Sequence, residues 1–205
     1  MVFCAIDYPI GMYDTLFSYL EEKSGIHIGA EERDFIASKF RHKHLRRRQY
    51  FLQEGDIARY TGFIVRGAAR MYSVDEKGNE HVVRFGLENW WIGDQESFYH
   101  FTPSRYHIEM VEDTDLLLVS NEGLQELQEK SAAFDHFVKM QNQFTAAATQ
   151  KRIHAAISMT AEERYEDLVK TYPQFIQRFP QNMIASYLGI SPETLSRIRN
   201  GARRR

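Results

Sequence analysis

Apolar and polar positions alternate along this chain in three successive textures. From Tyr8 to about His44 apolar residues recur three and four apart, first in "YDTLFSYLEE" and again in "GAEERDFIASKF", whose first turn is acidic. That spacing predicts amphipathic helices. From about Leu45 to Ser120 the period shortens: "GFIVRG", "ARMYSV", "EHVVRFG", "RYHIEMV" and "TDLLLVS" alternate with turn clusters, and "DEKGNE" (Asp75 to Glu80) predicts a hairpin turn. Several short strands at close spacing predict a compact antiparallel barrel or jelly roll.

The pattern turns helical again at Asn121. Ser131 to Ser158 contains neither Gly nor Pro, enough for a helix of roughly 40 Å. Phe134, Phe137, Gln141, Phe144, Ala148 and Ala155 fall on one seam, which Lys151 interrupts. Such a seam fits a helix lying along its own barrel, or a two-helix dimer interface in which alanines allow close approach. Beyond it, Tyr165, Leu168, Val169 and Tyr172 form one apolar stripe, and Pro173 and Pro180 punctuate the path to two final helices.

Those last helices have the layout of a helix-turn-helix. In "QNMIASYLGISPETLSRIRN" Ile184 and Leu188 lie one turn apart, and Ala185 is small where a second helix must cross. Gly189 suits the left-handed end of the first helix. Ser191 is a good N-cap and Pro192 a good first helical residue for the second. Leu195 and Ile198 then face inward, leaving Glu193, Thr194, Ser196, Arg197 and Asn200 outward. An arginine can donate twice to guanine and a carboxylate can accept from cytosine, so Glu193 and Arg197 suit adjacent base pairs. An ordinary surface ion pair has the same i, i+4 spacing, and only the complete two-helix layout favours DNA.

Bulk properties narrow this picture. Of 205 residues, 43% are hydrophobic and 26% charged, and the formal net charge is −2, so any nucleic-acid surface must be local. From Gln181 onward Arg197, Arg199, Arg203, Arg204 and Arg205 face a single acid, Glu193, a balance suited to phosphate contacts. No apolar run approaches a membrane span of ~20 residues, and no basic region precedes the first apolar residues as in a signal peptide. A cytoplasmic protein is expected. One cysteine, Cys4, excludes an internal disulfide and a four-thiolate cluster. The sole His-x-His, His42 and His44 in "RHKHLRRR", sits among five cations that repel a metal ion. Neither an enzyme nor a metal site is expected.

Four segments in order, "FLQEGD", "FIVRGAARMYSVDEKGNE", "WIGDQESF" and "LGISPETLSRI", make the chain resemble the Crp/Fnr superfamily of bacterial transcription regulators over nearly its whole length. The resemblance implies an α+β architecture. Its parts are an antiparallel β-roll or jelly-roll sensor domain at 1–130, a long dimerisation helix at 131–158 and an all-α helix-turn-helix domain at 159–205. It implies double-stranded DNA as partner, a homodimer on a palindrome of TTGA-like half-sites, and RNA polymerase as a further candidate partner. The DNA-binding residues would be Ser191, Glu193, Thr194, Ser196, Arg197, Asn200 and Arg203. The segment after the recognition helix is too short for the family's two-stranded wing, so a wingless branch is expected, its basic tail replacing wing–phosphate contacts.

The same resemblance marks Gly93, Asp94, Ser104, Arg105 and Thr149 as candidate effector-binding residues. Asp94 stands where cyclic-AMP-binding relatives carry Glu, and Ser104 where they carry the phosphate-binding arginine. Arg105 comes one residue late, which on a strand turns a side chain to the opposite face unless a bulge returns it. An altered or empty pocket is therefore expected rather than cyclic-AMP sensing, and no cofactor is implied. Trp90, Trp91, Phe98 and Tyr106 crowd this segment as pocket or as core. Iron–sulfur sensing needs four cysteines; His81, His100 and His107 are the weak candidates for a haem ligand. The alternative function is a cyclic-nucleotide or other small-ligand binding module whose helix-turn-helix is vestigial or binds protein.

Overall fold

Helix α1 (Met12–Ser24) buries Tyr13, Leu16, Phe17 and Leu20, one apolar stripe, and ends on Gly25 in the left-handed region, in a computed structural model that describes residues 11–202. Helix α2 (Ala30–Lys39) follows. The helical expectation to about His44 stops short there, because Phe40–Leu45 forms strand β1, paired in register with Thr114–Val119. Its ends, Phe40 and Leu45, are buried, and Arg41, His42, Lys43 and His44 between them are exposed. Charge on an outer strand discourages pairing with other chains.

Two four-stranded antiparallel sheets follow among the described residues. One has the order β1, β8 (Thr114–Ser120), β3 (Tyr60–Arg66), β6 (Trp91–Ile92). The other runs β2 (Tyr50–Leu52), β7 (His107–Met110), β4 (Ala69–Val74), β5 (Glu80–Gly86). The β4–β5 turn is the hairpin expected at "DEKGNE": Asp75 accepts from the Lys77 and Asn79 N–H groups, each at 2.9 Å, and Gly78 takes φ 82°. Between β6 and β7 lies a short helix, α3 (Gln95–His100).

Helix α4 (Asn121–Lys130) leads through Ser131, whose hydroxyl caps the next helix, into α5 (Ala132–Ser158). The start of α5 packs on its own roll, where Phe134 and Phe137 are buried against Phe40 and Trp91. Further along, Phe144 is 59%, Ile153 56% and Ile157 81% exposed, while Arg152 reaches β5. Of the two arrangements that fit the seam, a helix lying along its own roll therefore holds for the start of α5, and Ile153 and Ile157 lie on a different face from the seam.

Four helices close the described chain: α6 (Ala161–Thr171), α7 (Pro173–Arg178), α8 (Gln181–Leu188) and α9 (Pro192–Ala202). They bury a second core against the β2-β7-β4-β5 sheet. There Phe85 stacks on Phe179 at 4.0 Å and meets Phe175 and Tyr187, both at 5.0 Å. Polar links fix the docking. Ser186 of α8 donates to the Glu80 carbonyl at 2.7 Å and accepts from the Val82 N–H at 2.9 Å. Arg152 of α5 donates to the Val82 and Val83 carbonyls. Arg178 grips Glu88 (2.5 and 2.9 Å) and Glu112 (2.6 and 3.0 Å).

Candidate nucleic-acid interface and ligand cleft

Gly189 turns the chain between the last two helices. At φ 67° it ends α8, and the Ile190 N–H returns to the Ala185 carbonyl at 3.0 Å. The Ser191 hydroxyl accepts from the Thr194 N–H at 3.2 Å, satisfying one free donor at the start of α9. Leu195 is buried with Ile184, Ala185 and Leu188, and Ile198 is half-buried beside them. That anchoring sends the other face outward: Ser191, Glu193, Ser196, Arg197 and Asn200 are exposed and Thr194 is half-buried.

Arg197 does not pair with Glu193 among the described residues; its guanidinium donates to the Thr194 hydroxyl at 3.2 Å. Glu193 accepts from its own backbone N–H and from the Ser191 side chain, which hold its carboxyl below the ordinary value. At neutral pH this face thus offers an anionic acceptor and a cationic donor one turn apart, neither neutralised by the other. Arg203, with Arg204 and Arg205, lies outside the described residues, as does Cys4.

The β-roll half brings three of the five candidate effector residues together. Asp94 caps α3, accepting from the Glu96 and Ser97 N–H groups at 3.1 and 3.4 Å, and takes the Ser104 hydroxyl hydrogen at 2.7 Å. Both side chains are buried. Gly93 lies so close to Thr61 that a Cβ would sit 2.9 Å from the threonine hydroxyl. Arg105, by contrast, is exposed, with no hydrogen bond or ion pair among the described residues. Thr149 is exposed on α5 and donates back to the Thr145 carbonyl at 2.8 Å.

Beside the Gly93–Asp94 corner opens a small cleft of about 70 Å³. Its apolar walls are Trp91, Phe98, Tyr99, Leu124, Phe137 and Val138. Ser104, Arg105 and Thr149 do not line it. The aromatic cluster expected here divides: Trp91 and Phe98 face the cleft, Tyr106 packs on the first core, and Trp90 meets Tyr172 and Phe175 of the second.

Four of the candidate histidines have structural partners. His42 and His44 share one oxygen of buried Asp115 at 3.0 and 2.9 Å, while Arg66 holds the other at 3.0 Å. His81 pairs with Asp75 and His107 with Glu54, and His100 is exposed at the end of α3. No group of three His, Cys, Asp or Glu side chains among the described residues is arranged to hold a metal ion, and none of the described helices is long and apolar enough to cross a membrane. Sequence reading missed Val138, Asn142, Leu124 and Tyr99 in the cleft and Arg178 and Ser186 at the docking face. All come from segments far apart in the chain, and no local signal marks them.

Residues 42–131 match the cyclic nucleotide-binding domain family. No curated protein matches the sequence. Among solved structures, FixK2 from Bradyrhizobium japonicum is similar at 20% identity and a TM-score of 0.63, over 79% of this chain and 83% of its own. The c-di-GMP-responsive global regulator CLP from Xanthomonas campestris is similar at 15% and 0.64, over 85% of this chain and 92% of its own. A protein from Eubacterium rectale assigned to the crp/fnr family of transcriptional regulators shows 15% and 0.63, over 88% and 85%.

Proposed function

We propose that this chain, which joins a cyclic nucleotide-binding domain to the fold of the Crp/Fnr regulators, is a homodimeric, sequence-specific DNA-binding transcription regulator that answers to a small molecule other than cyclic AMP. The observation that carries the reading is the outward face of α9. Glu193, Ser196, Arg197 and Asn200 are exposed on a helix whose other face is fixed by Leu195, and Arg197 is not spent on an intrahelical ion pair. In a major groove Arg197 would donate to guanine and Glu193 accept from cytosine, with Ser191, Thr194 and the arginines Arg199 and Arg203 toward phosphates.

Dimerisation is supported by α5. Ile153 and Ile157, one turn apart, are 56% and 81% exposed on α5, and a second copy of that helix would supply apolar cover. Two recognition helices held one DNA turn apart would then read a palindrome. An effector other than cyclic AMP is supported by the sensor corner: Ser104 stands in the place of the phosphate arginine with its hydroxyl committed to Asp94, and Arg105 is exposed.

Selection of bound duplexes from a randomised pool at fixed, near-physiological salt, with and without cyclic AMP, tests this. Enrichment of one palindrome in both conditions is the expected result. Enrichment only with cyclic AMP would overturn the effector reading, and recovery of random sequence in both would overturn base reading by α9.

A further inference from the structure

The geometry points to the cleft between α3, α4 and the first half of α5 as a binding site for a small, uncharged aromatic molecule bearing a hydrogen-bond acceptor. The cleft is separate from the position of a cyclic nucleotide's phosphate: Asn142, its last α5 residue, precedes Thr149 by two turns, and neither Ser104 nor Arg105 reaches it. Three observations set the ligand class. The walls are aromatic and aliphatic, and Trp91 and Phe137, whose rings touch at 5.8 Å, form one aromatic wall against which a single ring can pack.

The polar lining carries no cation. It consists of Thr61, Gln95, Gln141, Asn142 and Asp94, and Asp94 is already engaged by α3 and Ser104. A phosphate or carboxylate would meet a buried carboxylate and no compensating charge, whereas neutral groups meet three amides. Third, Trp91 is 91% buried and its indole N–H has no acceptor. Buried donors in folded proteins almost always have a partner, and an acceptor carried by the ligand would supply one after a small shift of the ring.

The site joins α3, whose cap ties Asp94 to Ser104, to α5, which continues into the uncovered segment. On the regulator reading above, a ligand there would change how α5 leaves the roll. Binding itself does not rest on that reading and is measured without DNA.

The test uses the full chain, 15N-labelled, with acetophenone (neutral, one ring, one carbonyl), benzoate (the same size, anionic), ethylbenzene (no acceptor) and cyclic AMP as probes. Trp90 and Trp91 supply two indole N–H signals, assigned through Trp91→Phe. Acetophenone is expected to move the Trp91 signal and not the Trp90 signal, and to bind at least tenfold more tightly than benzoate. Methyl resonances of Leu124 and Val138 report binding where the indole is absent: Trp91→Phe should weaken acetophenone about tenfold and leave ethylbenzene unchanged. Val138→Phe, which fills the cleft from a half-buried position, should abolish binding of both. Equal response to benzoate or cyclic AMP, or no shift with any probe at millimolar concentration, overturns the site. Probe binding by a chain that selects no DNA sequence would leave the site standing and remove the regulator reading.

Discussion

Replacing Arg178 by methionine keeps an unbranched apolar stem and removes the charge that ties α7 to the β-roll. The guanidinium makes four hydrogen bonds to two carboxylates, Glu88 and Glu112. All three side chains are partly exposed, at 25%, 36% and 38%. Exposed ion pairs contribute ~0.2–1 kcal/mol each, and bidentate charge-assisted geometry sits at the upper end. Solvent screening keeps the pair of contacts near ~2 kcal/mol, roughly a 30-fold change in the docking equilibrium. The reporter is the Val82 N–H, whose partner is Ser186 across the interface. Its hydrogen exchange should accelerate roughly 30-fold in Arg178→Met. The Leu117 N–H, inside the β1-β8-β3-β6 sheet, should not change. Raising salt should narrow the gap between the two proteins. An unchanged Val82 rate, or equal acceleration at Leu117, would refute the idea that Arg178 secures docking.

The same contact has a pH dependence. Burial pushes the Glu88 carboxyl up, but the bonds from Arg178 and from the Gly67 N–H outweigh it and hold the group below its ordinary value. A depressed carboxyl stabilises the folded form above the unfolded pKa, and that stabilisation fades as pH falls through the folded one. Val82 exchange, corrected for its intrinsic pH dependence, should thus gain an extra acceleration as pH drops below about 4.3, and Arg178→Met should lack it. Arg197→Ala should cost ~1–3 kcal/mol on the selected palindrome and relax one base position, whereas removing residues 203–205 should weaken all sequences alike and flatten the salt slope; quantitative footprinting separates the two. Asp at both Ile153 and Ile157 should weaken the dimer by at least ~3 kcal/mol, more than a hundredfold. Sedimentation equilibrium reads that change, and an unshifted dimer would place the interface elsewhere.

Short-range chemistry was the legible part of this molecule. Gly189, Ser191 and Pro192 specify a turn and cap within four residues, and the strand runs and the Asp75 hairpin likewise carry their own signals. Position β1 was misplaced because "FRHKHL" lacks an alternating pattern; its structure is set by pairing with β8, some seventy residues away. The α5 seam gave the apolar positions but not what would lie opposite them, since periodicity is blind to partners. For the same reason the cleft was half visible: Trp91 and Phe98 stood out as an aromatic cluster, yet Val138 and Asn142 reach it only through the path of α5. Arg105 stood beside Ser104 in sequence, but the fold buries one and exposes the other.

The docking of α8 on β5 has a consequence for solubility. Strand β5 is the last in its sheet, and Ser186 and Arg152 occupy its outer N–H and carbonyl groups at Glu80, Val82 and Val83. A β-roll half cut free at the end of α5's first turns would lose both cappers and the helices over Val82 and Phe85. It would then present an open, apolar strand edge, a template for strand addition by a second copy. The C-terminal helices, beyond carrying the proposed DNA-reading face, thus serve the sheet, closing a border along which the protein would otherwise aggregate.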